Sequence, residues 1–120
     1  MYKQIVTIAI IMLVLDIIYL KLVTGHFNDL MNKIQGKPIT IKYLPAALCY
    51  TIMVFAMYHF IVKENKSLSD AFLLGFVIYG VYDTTNMATI DEWNWFTVIL
   101  DTFWGATLFT LTYYFTKKLI

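Results

Sequence analysis

Four apolar runs govern what this chain can become. They fall at about 4–24, 43–62, 70–88 and 96–116 of its 120 residues. A helix rises about 1.5 Å per residue, so each run is near the ~20 residues that cross ~30 Å of hydrocarbon. In lipid only helices and closed barrels satisfy their own backbone, and unbroken runs of this length favour helices. The expected fold is therefore all-α: a four-transmembrane-helix bundle forming one integral membrane domain, residues 1–120. Four spans of that length use about 80 residues, which leaves connections too short for a soluble domain.

Composition agrees. Apolar residues make up 60% of the chain, charged residues only 14%, and mean hydropathy is +0.68. A soluble fold of this size would have to cover its surface with polar side chains. A net charge of +1 gives no basis for binding nucleic acid. All nine basic residues are Lys, so bidentate recognition of phosphate or carboxylate by Arg is absent. Cys49 stands alone, which removes any disulfide or cysteine-based metal site within one chain. It is expected to be a buried, inert thiol. Nothing suggests a cofactor. The first run has Lys3 ahead of it but is long for a signal peptide and lacks an A-x-A site before Gly25, so it is expected to remain as a span.

The connection 25–42 carries its own pattern. Phe27, Leu30, Met31 and Ile34 recur at helical spacing, with Asn28, Asp29, Asn32 and Lys33 on the other face. This predicts a short interfacial amphipathic helix between the first and second spans. Gly36 and Pro38 should end it, and Pro45 suits the first turn of the next helix. Ser67 or Ser69 is the expected cap of the third helix.

Lysine counts bear on orientation. Lys3, Lys63, Lys66, Lys117 and Lys118 share one side of a four-span protein; Lys33, Lys37 and Lys42 lie opposite, with Lys21 near the boundary. The narrow excess favours both termini in the cytoplasm.

Three carboxylates stand inside these runs: Asp16, Asp83 and Asp101. At about 1.5 Å per residue, Asp16 falls about 12 Å inside one membrane face. Asp83 and Asp101 fall about 8 Å inside the same face, and Tyr50 about 10 Å. Alternating topology thus brings polar groups from all four helices to one layer. Tyr79, Asp83 and Asn86 form one stripe on the third helix. Met12, Asp16 and Tyr19 do so on the first, and Asp101, Trp104 and Gly105 on the fourth. The pattern Asp-x-x-aromatic occurs twice, as DIIY (16–19) and DTFW (101–104). Intramembrane acids face the bundle interior or water. Three of them without Arg require protons, a bound cation, or donors from Tyr19, Tyr50, Tyr79, Thr84, Thr85 and Asn86. The candidate site is therefore Asp16, Tyr19, Tyr50, Tyr79, Asp83, Thr85, Asn86, Asp101 and Trp104. The alternative is polar glue between helices, at ~0.6 kcal/mol per bond. Gly75, Gly80, Gly105 and Ala106 would allow close helix approach. His26 and His59 are expected at membrane edges, and Trp93 and Trp95 in an interfacial belt.

These residues resemble a known pattern. YDTTNMATIDEW (82–93) followed by LDTFWG (100–105) is similar to the signature of the membrane-protein family called domain of unknown function 2177. LDIIYL (15–20) and PAALCY (45–50) resemble two further segments of that family. The resemblance covers nearly the whole chain and implies four membrane helices. By it, Asp16, Tyr50, Tyr82, Asp83, Thr85, Asn86, Thr89, Trp93, Asp101, Trp104 and Gly105 are motif positions. It implies no activity.

Three functions fit the residues. The first is a small proton- or cation-linked transporter or channel-like protein, with a proton or small cation held by the acids. The second is a membrane enzyme acting on a lipid or isoprenoid-like substrate, with carboxylates for acid–base chemistry or Mg²⁺; it lacks a catalytic loop and a nucleophile motif. The third is a structural or partner-binding membrane protein. A homo-oligomer suits a bundle of four helices, which barely encloses a path.

Overall fold

The computed structural model describes all 120 residues. It is all-helical: α1 Tyr2–Gln35, α2 Tyr43–Met57, α3 Leu68–Thr89 and α4 Trp95–Leu119. A π-helical turn, Tyr58–Val62, extends α2, its end marked by the Lys63 N–H reaching the Tyr58 carbonyl at 2.8 Å. The particle measures 44 × 25 × 22 Å.

Helix ends follow the local chemistry. Ser67 caps α3 through a reciprocal box. Its hydroxyl accepts the Asp70 N–H at 3.1 Å, and Asp70 accepts the Ser67 N–H at 3.2 Å. Two orphan donors are satisfied at once. Asn94 caps α4, accepting the Thr97 N–H at 3.0 Å. Gly36 closes α1 at φ 74°, a left-handed conformation that glycine adopts without steric cost.

One expectation needs correction. Residues 26–35 are helical, but they are not the separate short helix that the pattern suggests. α1 runs unbroken through Gly25 for 34 residues. A lone glycine costs a helix only about 1 kcal/mol, too little to end one whose next turns bury an apolar face. That face packs on protein: Leu30 joins Trp93 and Val98 in a small core, with Phe27 and Ile34 against it.

The main core runs along the other end of the bundle. Ile8 and Met12 of α1 meet Met53 and Met57 of α2, Ala71 of α3, and Leu108, Phe109 and Tyr113 of α4. α3 and α4 lie against each other along most of their length, and glycine explains how closely. A Cβ added at Gly75 would run into the Gly105 backbone, reaching the Gly105 carbonyl carbon at 2.9 Å. A Cβ at Gly105 would run into Tyr79, with the Tyr79 Cβ only 2.6 Å away. Gly80 has ordinary room, 3.6 Å to Thr102, so it is not part of this close seam. The Tyr113 hydroxyl donates to the Lys66 carbonyl at 2.5 Å, tying α4 to the α2–α3 turn.

The outside is apolar. Ile10 and Ile17 on α1, Ile52 and Phe55 on α2, Phe72 and Val77 on α3, and Ile99 and Phe103 on α4 are all exposed. By length and apolarity, α1 and the continuous helix Tyr43–Val62 qualify as candidate membrane spans. Cys49 is exposed on α2 rather than buried. Cys49 lies one turn before Met53 on the same stripe, at the end of α2 that the core of Met53, Val54 and Met57 does not reach.

Candidate functional site

Antiparallel packing of α1 and α4 brings the two Asp-x-x-aromatic segments face to face. Their hydrogen bonds are exchanged. Tyr19, three residues after Asp16, donates its hydroxyl to Asp101 at 3.1 Å. Trp104, three residues after Asp101, donates its indole N–H to Asp16 at 2.9 Å. The two rings stack between them at 4.6 Å with planes 3° apart. Each segment thus supplies an acceptor one turn from a donor, and each partners the other's complement.

Around this pair the remaining elements close in. The Tyr50 hydroxyl of α2 donates to the second oxygen of Asp16. Both Asp16 oxygens are therefore occupied by neutral donors, and the residue is 7% exposed. Asp83 of α3 is fully buried. One of its oxygens accepts the Trp93 indole N–H at 3.2 Å, while Oδ2 is buried and receives no hydrogen bond. Asp101 is near enough to Asp83 for their charges to interact. Two carboxylates at that range carry mutually repelling charges unless something positive lies between them.

Of the remaining candidate residues, Tyr79 packs its ring on Gly105 and its hydroxyl bonds none of the acids. Asn86 lines a neighbouring cavity. Thr85 is exposed on α3 and hydrogen-bonds none of the acids; it falls one position off the Tyr79–Asp83–Asn86 stripe. Its neighbour Thr84 bonds back to the Gly80 carbonyl at 2.6 Å, the usual resort of a helical threonine.

Sequence reasoning missed two partners. Trp93, read as an interfacial anchor, is 7% exposed and holds Asp83. The α3–α4 turn folds it back over the helix end. The signal was the short separation, since a ten-residue loop-and-helix segment lets a large donor return. His26, read as an edge residue, lies 2.8 Å from the Thr97 hydroxyl. Thr97 gives its own proton to Asn94, so His26 Nε2 is the donor.

A cavity of about 380 Å³ adjoins this network. Tyr19 and Asp101 form part of its wall, along with Phe27, Tyr82, Asn86 and Trp93, while Asp16 and Asp83 do not. The acids are thus linked in a chain of contacts, Asp16–Trp104–Tyr19–Asp101–Asp83–Trp93, rather than grouped around one polar pocket. Nowhere do three or more His, Cys, Asp or Glu side chains gather as a metal-binding set.

The family model described as "Predicted membrane protein (DUF2177)" matches residues 1–117. The chain belongs to this family. No curated protein and no solved structure matches it. Family membership makes it a membrane protein, and the paired acids have to be explained in that setting.

Proposed function

We propose that this protein is a four-span membrane protein in which Asp83 and Asp101 hold an exchangeable proton or small cation. It would work as a small proton- or cation-linked transporter or channel-like protein. The observation that carries the reading is Asp83 Oδ2, buried and receiving no hydrogen bond, with Asp101 near enough for the two charges to interact. A buried acceptor of this kind is costly unless it is filled. A proton or cation fills it and can leave again.

Exposed apolar side chains on all four helices support four spans. The lysine excess favours both termini in the cytoplasm. A second copy would complete the enclosure of a path that four helices bound only in part.

The test is flux. Purified protein is reconstituted in liposomes carrying an internal pH dye, and a proton or potassium gradient is applied. Wild type should dissipate a gradient, and Asp83→Asn should not. Equal flux through both proteins would refute the role given to Asp83.

A structural or partner-binding role is the second reading, and one observation favours it. Asp16 is saturated by Tyr50 and Trp104, as a carboxylate that only fastens helices would be.

A further inference from the structure

The cavity beside Asp101 has a composition that selects a ligand. We propose that it binds a lipophilic organic cation, a small alkyl- or aryl-ammonium, with the charge against Asp101 and the apolar body against the aromatic wall. This names a substrate class for the proposed cation-linked function and rests on that reading.

Four rings contribute to the wall, from Tyr19, Phe27, Tyr82 and Trp93. The faces of such rings attract a cation within ~6 Å, most strongly where water is excluded. One carboxylate, Asp101, is in the wall, and no Lys or His is. Nothing there competes with a positive ligand, and an anion would meet uncompensated negative charge. A hydrated metal ion is disfavoured because it needs about six oxygen ligands, whereas nine of the eleven lining residues are hydrophobic. A neutral apolar molecule would leave Asp101 desolvated with only the uncharged Tyr19 hydroxyl as its donor. The volume, about 380 Å³, is that of a small-molecule site, apolar with a few placed polar groups.

Access fits the same class. Leu20 of α1 and Tyr82 of α3 line the cavity and are 44% and 59% exposed, so it opens sideways between these helices. An amphiphilic cation partitioned into the bilayer would arrive by that route. On reaching Asp101 it would meet Asp83 from α3 and Tyr19 and Asp16 from α1. Its charge would take the place of whatever proton or cation the Asp83–Asp101 pair holds.

The probe is benzyltrimethylammonium, and its uncharged carbon isostere neopentylbenzene is the control. Binding to the full-length protein in nanodiscs is followed by calorimetry and by tryptophan fluorescence. The ammonium should bind at least about tenfold more tightly than the isostere. Asp101→Asn should lose at least about tenfold in ammonium affinity and leave the isostere unaffected. Tyr82→Leu lies on an exposed position and spares the hydrogen-bond network, so it reads the site even if the Asp101 variant does not fold. It should weaken the ammonium about threefold. Glu64→Gln, an exposed acid in the α2–α3 turn and outside the cavity wall, should not change affinity. Equal binding of ammonium and isostere, or unchanged ammonium binding in both Asp101→Asn and Tyr82→Leu, would overturn the assignment. Gradient dissipation without ammonium binding would overturn it and leave the proton or inorganic-cation reading standing. Ammonium binding without any flux would do the reverse.

Discussion

Asp16 and Asp83 are the same residue type, both buried, yet their oxygens are treated in opposite ways. Asp16 takes a hydroxyl on one oxygen and an indole N–H on the other. Asp83 takes one indole N–H, and its other oxygen receives none while a second carboxylate lies beside it. The first arrangement is closed: its donors are uncharged and fixed on α2 and α4, and nothing further is called for. The second is incomplete without a positive charge. A carboxylate in a low-dielectric interior is therefore informative through its donors rather than through its burial. Asp16 fastens α1 to α2 and α4, and on the proposed reading Asp83 holds something that can exchange.

Removing Asp16 should produce the largest loss of stability. Asp16→Leu leaves the Tyr50 hydroxyl and the Trp104 N–H without acceptors. Hydrogen bonds between membrane helices average ~0.6 kcal/mol and reach ~1.7, and bonds to a charged acceptor lie at the upper end. Two of them predict a loss of about 2–3 kcal/mol, read from unfolding in mixed detergent micelles. A loss below about 0.5 kcal/mol would mean that Asp16 is not the fastener described.

Gly75→Ala comes next and separates the two regions. The new Cβ would collide with the Gly105 backbone, which has no rotamer in which to yield. α3 and α4 must then part, at a cost of about 1–3 kcal/mol. That parting should disturb the Asp83–Asp101 contact, which joins α3 to α4. The Asp16–Tyr50 bond joins α1 to α2 and should survive. A stable variant with full flux would contradict the tight seam; normal stability with lost flux would show that only the acid contact is sensitive to it.

Tyr19→Phe probes the exchanged pair on its own. The ring remains stacked on Trp104, and only the hydroxyl given to Asp101 is lost. The expected cost is about 1 kcal/mol in the same unfolding experiment. Because Asp101 loses a donor, ammonium binding should tighten rather than weaken. Weaker binding would mean that the hydroxyl itself contacts the ligand.

Much of this arrangement was legible in the sequence, for a physical reason. Constant helical rise and alternating direction put Asp16, Asp83, Asp101 and Tyr50 at one level, and the structure brings these four together through Tyr19 and Trp104. The doubled Asp-x-x-aromatic pattern is visible in the sequence; its meaning lies in the crossed donors, which only the antiparallel contact of α1 and α4 reveals. Gly25 and Thr85 resisted prediction. Continuity through Gly25 depends on what the next turns bury, Trp93 and Val98, residues more than sixty positions away. Thr85 is polar and adjacent in sequence to the site, but a helix rotates ~100° per residue and carries it off the stripe. Trp93 was hidden because the same indole serves as an interfacial anchor or as a buried donor, depending on how the turn folds.

The smallest change in stability should come from the residue with the largest effect on flux. Asp83→Asn replaces the carboxyl group by an amide of nearly the same shape. The amide oxygen can accept the Trp93 N–H, and the amide nitrogen can donate to Asp101, doing permanently what a proton or cation does reversibly. No buried charge is left alone, because the partner acid gains a fixed donor. Unfolding stability should therefore stay within about 0.5 kcal/mol of wild type while transport is lost. If Asp83 were instead a structural fastener like Asp16, loss of its charge would weaken the bond from Trp93 and cost about 1 kcal/mol or more. Measuring Asp83→Asn and Asp16→Leu side by side, for unfolding and for flux, decides whether the two acids differ in kind.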